Sequence, residues 1–97
     1  ADQDRVGVII GSGIGGIATV EDQTRTMLAR GPRRVSPFFI PMFIPDMAAG
    51  LVSMRFGARG ANYATVSACS SSAHALGNAF RLIQRGAAQI FIPVPIK

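Results

Sequence analysis

Residues 6–23 read VGVIIGSGIGGIATVEDQ, an apolar run that passes through a cluster of glycines into a segment of helical spacing. The fold turns on what that cluster serves. Gly11, Gly13 and Gly16 fit G-x-G-x-x-G between a strand and a helix, the setting in which backbone N–H groups and a helix N-terminus cradle a pyrophosphate. A dinucleotide fold also requires a second strand close behind, ending about twenty residues on in an acid for the ribose hydroxyls. Residues 30–39 offer RGPRRVSPFF instead, with no acid, and Pro32 and Pro37 bracket the two arginines that would meet a 2′-phosphate. The competing reading is that the glycines let strand and helix pack closely or line a narrow cavity. A nucleotide-binding oxidoreductase fragment stays open as an alternative.

Outward from this stretch, residues 5–10, RVGVII, read as a buried strand because a short β-rich apolar run ends at glycines. From Ile17 to Arg30, Ile17, Val20, Met27 and Leu28 share a helical face, and Gly31 with Pro32 stops the helix. Residues 32–45, PRRVSPFFIPMFIP, carry four prolines in fourteen positions, which excludes a central strand and predicts an ordered, apolar connection. Ile44, Met47, Leu51 and Met54 then mark a second helix, with Pro45 and Asp46 suited to its start, Gly57 to its end, and Ala48, Ala49 and Gly50 allowing close approach. Residues 61–67, ANYATVS, predict a strand that runs straight into a helix whose face is Ala73, Leu76, Ala79, Phe80 and Ile83, closed by Gly86. The segment AQIFI, residues 88–92, is again strand-like and is expected to break at Pro93 and Pro95. The order β, α, loop, α, β, α, β predicts a layered α/β arrangement.

At 97 residues the chain is at most one small domain, short for a complete multi-substrate enzyme, so a fragment is expected. Hydrophobic residues make up 48% and charged ones 15%, an apolar excess that points to surface meant for a partner. Ten Lys and Arg against five Asp and Glu leave a net charge of +5. Only Arg30, Arg33 and Arg34 cluster, and no aromatic residue interleaves them as a base-stacking surface requires, so an acidic protein partner is favoured over nucleic acid. No basic leader with an apolar run opens the sequence, and no stretch of about 18 apolar residues is present to span a bilayer. The expectation is a soluble, cytoplasmic protein with no membrane contact.

One cysteine, Cys69, and one histidine, His74, cannot close a structural zinc site, so any special role of Cys69 is that of a thiol. A residue at a sharp strand-to-helix junction is lifted from the sheet, and a thiol there lies in the positive field of the helix N-terminus, which favours thiolate. Backbone N–H groups nearby, that of Cys69 included, are free to stabilise an oxyanion. The alternative is a small buried hydrophobe. Ser70, Ser71 and Ser72 read as helix-start residues that cap N–H groups or pack tightly. Five helical steps place His74 about 140° around the axis and about 7.5 Å along it from Cys69, so the two should not meet and His74 reads as structural. A complete Cys-His constellation is therefore missing from these residues.

GSGIGG, RRVSPFFIPMFIPDMAAG and GARGANYATVSACSSSAHALG, in that order and covering nearly the whole chain, resemble the type II β-ketoacyl-[acyl-carrier-protein] synthases of fatty-acid synthesis. The resemblance implies a partial, layered thiolase-like α/β fold over residues 1–97 that carries the nucleophile, with the C-terminal half absent. It implies a decarboxylative Claisen condensation in which Cys69 takes an acyl group from acyl carrier protein and passes it to the carbanion of malonyl carrier protein. Cys69 aligns with the acyl-accepting nucleophile, between small neighbours Ala68 and Ser70, and its N–H supplies half of the oxyanion hole. His74 is similar to a histidine on the nucleophile helix of some members and not to the catalytic pair.

The glycine turn resembles the one beside the acyl-chain pocket, with Ile14 as the wall against which the chain packs. Phe43 and Ile44 are candidates for a pocket completed across a dimer interface, with core packing as the alternative. Arg33 and Arg34 match a basic region that docks the acidic carrier, with plain surface charge as the alternative. The strand ANYATVS resembles the one that pairs across the two-fold axis of a homodimer. No cofactor and no metal are implied. The family's catalytic histidines, its lysine and the other oxyanion donor have no counterpart here, so this chain alone should not condense. The ending QIFIPVPIK departs from the glycine-rich, acid-containing segment expected after the last strand. A noncatalytic carrier-binding or dimerisation module remains the second class of function.

Overall fold

The computed structural model describes residues 2–96. Three strands, β1 (Val6–Ser12), β2 (Asn62–Val66) and β3 (Ile90–Ile96), form a wholly parallel sheet in the order β2-β1-β3. Four α-helices accompany it: α1 (Ile17–Arg30), α2 (Phe39–Phe43), α3 (Asp46–Phe56) and α4 (Ser71–Gln84). The α/β class and the element order agree with the sequence reading. Contacts divide the chain in two, residues 15–44 forming one unit and the residues on either side forming the other.

The sheet unit is built around β1, buried from Gly7 to Ser12. A strand's side chains alternate between faces, so Val8 and Ile10 point one way and Ile9 the other. Val8 and Ile10 pack with Ala49 and Ala58, flanked by Ala48 and Val52 of α3. Ile9 packs with Ala75 and Ala79 of α4 and with Ala88 and Phe91. Helices thus cover both faces, as parallel sheets require.

The helices meet the sheet partly through expected residues, Ala49 of the small-residue approach in α3 and Ala79 of the α4 face, and otherwise through a different set. Ala49 of α3 and Ser71, Ala75 and Ala79 of α4 are buried, whereas Leu51, Met54, Leu76, Phe80 and Ile83 are exposed. Periodicity finds an apolar face but cannot rank small side chains against large ones. Here the small ones let the helices lie close to the strands, and the large ones face out. On α1 as well, Ile17, Met27 and Leu28 remain exposed.

The proline-rich connection also holds more structure than expected. Pro32–Arg34 is a 3₁₀ turn and Phe39–Phe43 is helical. Pro41 is tolerated because it stands in the first turn, where an N–H has no intrahelical acceptor to lose. This unit closes on itself: the Ser36 N–H donates to Gln23 Oε1 at 2.7 Å, and the Phe39 and Phe43 rings stack at 4.8 Å. The next strand after α1 is β2, reached only past α2 and α3, so the strand that a dinucleotide unit places close behind its first helix is missing among the described residues.

The break expected at Pro93 and Pro95 does not occur. Parallel register continues from Val6↔Ile90 to Ser12↔Ile96. Two prolines two residues apart lack N–H groups on the same side of the strand, and an edge strand has one side free of ladder bonds. The final residue of the atypical ending, Lys97, lies outside the described residues.

Within the cluster that follows β1's apolar run, Gly11 and Gly16 are explained by close approach. A Cβ on Gly11 would lie 2.7 Å from the Ser71 carbonyl carbon and oxygen, and one on Gly16 would lie 2.6 Å from the Phe43 Cα. Gly13 has nothing within 4 Å. Gly11→Ala is therefore expected to destabilise by about 1–3 kcal/mol, since backbone cannot yield as a side chain can, and Gly13→Ala to stay within about 0.5 kcal/mol. Urea denaturation of the two variants checks the contrast.

Candidate functional site

Two amides of the glycine turn are spent on backbone carbonyls. The Gly16 N–H donates to the Phe43 carbonyl at 2.9 Å and the Ile17 N–H to the Gly15 carbonyl at 2.9 Å. Ile14, in this turn, is 70% exposed. It belongs to the sheet unit, whereas Phe43 and Ile44 end α2 in the other unit. Phe43 is half-buried against Phe39, and Ile44 is at the C-cap of α2. Arg33 and Arg34 are exposed on the 3₁₀ turn and, among the described residues, form no ion pair.

Cys69 is exposed in a 3₁₀ turn, Ala68–Ser70, between the end of β2 and the start of α4. The sulfur is thus not a buried hydrophobe but stands at a bend ahead of a fourteen-residue helix. Ala68 has φ of 50°, the one positive value outside glycine among the described residues. A left-handed alanine carries a cost of about 1–2 kcal/mol, which the surrounding bonds must offset.

Those bonds centre on Ser71, only 3% exposed. Its Oγ accepts from the Ser67 N–H at 2.8 Å and donates toward two carbonyls, Ser12 at 2.8 Å and Ala68 at 2.7 Å. The Thr65 hydroxyl donates to the Ser71 carbonyl at 2.7 Å. Ser71 is thereby a tightly packed linker of strand ends and not a helix cap, and Ser70 at the N-cap makes no side-chain capping bond. The turn's own bonds engage the Ser70 N–H, with the Ser67 carbonyl at 3.0 Å, and the Ser71 N–H, with the Ala68 carbonyl. The Cys69 N–H makes no hydrogen bond among the described residues.

His74 is taken up elsewhere: its Nδ1 is hydrogen-bonded to Ser67 Oγ at 2.6 Å. No cluster of three metal-ligating side chains occurs among the described residues, and no helix is long and apolar enough to cross a membrane. Sequence reasoning did not single out Thr65, nor the distinct place of Ser71 within its serine run. The signal available was the burial that Gly11 implies, since a glycine opposite a helix start marks a backbone crossing. A cavity of about 290 Å³ on the α4 side is lined by Tyr63, Asn78, Arg81, Leu82 and Arg85, none of them a residue the sequence singled out. Ala68→Val is expected to cost about 1–3 kcal/mol, because a β-branched residue fits φ near 50° worse than alanine; thermal unfolding against wild type measures it.

Comparison with known proteins gives one consistent picture. The family model described as beta-ketoacyl synthase, N-terminal domain, matches residues 1–94. The chain is 55% identical over 89 residues to 3-oxoacyl-[acyl-carrier-protein] synthase 2 of Staphylococcus aureus, covering 92% of the chain and 22% of that protein. Against the synthase 2 of Synechocystis sp. identity is 51% over 89 residues, again 92% of the chain and 21% of that protein. Among solved structures, the ishigamide ketosynthase/chain length factor superposes with a TM-score of 0.80 at 31% identity, over 91% of this chain and 25% of that one. AntDE:AntF, a type II PKS acyl-carrier protein in complex with its ketosynthase, superposes with a TM-score of 0.82 at 24% identity, over the same shares, and speaks to fold alone. The chain spans about a fifth of the length of the curated relatives it matches.

Proposed function

The chain belongs to the beta-ketoacyl synthase family through its N-terminal domain, and from that premise we propose that it supplies the nucleophile-bearing part of a cytoplasmic 3-oxoacyl-[acyl-carrier-protein] synthase. The observation that carries the proposal is the exposed Cys69 at the bend between β2 and α4, with its own amide unengaged. In the acylation step the Cys69 sulfur attacks the carbonyl carbon of an acyl thioester on carrier protein. A carbon–sulfur bond forms, charge moves to the oxygen, and the carrier thiol leaves with the proton that Cys69 gives up. The Cys69 N–H is placed to hold the oxyanion, an interaction that strengthens as charge develops.

In the second step malonyl carrier protein loses carbon dioxide. The resulting carbanion attacks the acyl-Cys69 carbonyl, giving 3-oxoacyl carrier protein and returning the thiol after one proton is taken up. His74, engaged by Ser67, is not the residue for this step. The family's catalytic histidines, its lysine and the other oxyanion donor belong to polypeptide outside these residues, so activity belongs to the larger protein. The exposed apolar side chains of α3 and α4 fit burial against such polypeptide.

Ile14 is assigned to the wall of the acyl-chain pocket, Phe43 and Ile44 to completing the partner's pocket across a dimer interface, Arg33 and Arg34 to docking of the acidic carrier, and the outer edge of β2 to a homodimer interface. Unpaired, exposed guanidinium groups suit a docking role, since rim charges steer encounter more than they add affinity.

In the intact protein, Cys69→Ala is expected to abolish covalent acyl transfer from acyl carrier protein, read as the mass of the Cys69 peptide. Carrier binding without any acylation of wild type would replace the enzyme reading with a noncatalytic module. Arg33→Glu with Arg34→Glu is expected to raise KM for the carrier-bound substrate on the order of tenfold. It should leave kcat nearly unchanged and flatten the dependence of KM on salt.

A further inference from the structure

We infer that Ser71 is a positioning residue: its hydroxyl, by gripping the Ala68 carbonyl and the Ser67 amide, sets the direction of the Cys69 N–H. The inference rests on the acyl-transfer reading of Cys69. Its starting point is covalent. The Ala68 carbonyl and the Cys69 N–H belong to one peptide unit, planar and trans, so the two groups point in opposite directions and move together. Whatever holds the carbonyl aims the amide.

Two donors hold that carbonyl, and both come from Ser71: the hydroxyl at 2.7 Å and the backbone N–H. The hydroxyl has one proton for two acceptors, the Ala68 and Ser12 carbonyls, so it ties the peptide to the end of β1. One of its lone pairs takes the Ser67 N–H at 2.8 Å, fixing the residue before Ala68. The positive φ of Ala68 lies between these two grips. Without them the alanine would relax toward negative φ, and rotation about its backbone bonds turns the Ala68–Cys69 peptide and with it the amide.

The burial of Ser71 and the close approach at Gly11 make the arrangement rigid. Ser71 does not touch the reacting atoms. It acts through the peptide that does.

The experiment separates acylation, which needs both the sulfur and an aimed amide, from alkylation by iodoacetamide, which needs only an accessible thiolate. Both rates are measured across pH in the intact protein for wild type, Ser71→Ala and Ser71→Thr. Ser71→Ala is expected to slow acylation from acyl carrier protein by about tenfold to a hundredfold, with alkylation within about threefold of wild type and its pH midpoint unmoved. Ser71→Thr, which keeps the hydroxyl, is expected to acylate at near the wild-type rate.

Equal loss of both rates in Ser71→Ala would reduce the residue to a structural one and overturn the inference, as would normal acylation. Should Ser71→Ala fail to fold, the threonine variant decides: slow acylation with intact alkylation overturns the inference, and normal acylation supports it. Absence of acylation in wild type would instead remove the acyl-transfer reading, and this inference with it.

Discussion

The crossing of β1 over the first turn of α4 is the constraint on which the rest depends. At Gly11 the strand backbone comes so near to Ser71 and Ser72 that no Cβ fits between them. One residue later the Ser12 carbonyl receives the Ser71 hydroxyl. The central strand of the sheet is thus bonded directly to the segment that carries the thiol, and the Cys69 turn inherits the rigidity of the most buried part of the molecule. A site built on such an element holds its geometry better than one on a free loop.

Small residues propagate that closeness. Ala49 on one face and Ala75 and Ala79 on the other let α3 and α4 lie against Val8, Ile9 and Ile10. Asn62 strengthens the α3 contact by donating from Nδ2 to the Ala49 carbonyl at 2.8 Å. The larger apolar side chains are displaced outward, which accounts for a composition richer in hydrophobic residues than the compact core consumes. The apolar excess noticed in the sequence is therefore surface.

Chemistry follows from the same geometry. Raising Cys69 out of the sheet on a bent turn exposes the sulfur and leaves its own amide unengaged, while neighbouring amides are consumed by 3₁₀ bonds. The strain of a left-handed Ala68 is offset by a buried hydroxyl that shares its proton between two carbonyls and accepts from an amide, an instance of local strain held by surrounding structure.

The sequence by itself determined the element order, the α/β class, the helix limits at Gly31 and Gly57, and Cys69 as the residue to watch. Each depends on local signals that need no distant partner: a β-rich run, a glycine that ends a helix, a lone thiol at a strand-to-helix junction. Tertiary structure decided which helical face meets the sheet, because periodicity registers apolar character and packing selects by volume. It decided that β3 runs through two prolines, since an edge strand tolerates on one side what a central strand does not. It also singled out Ser71 from three adjacent serines. Local sequence gives all three the same capping tendency, and only the carbonyl of Ser12, far away along the chain, distinguishes the one whose hydroxyl is buried.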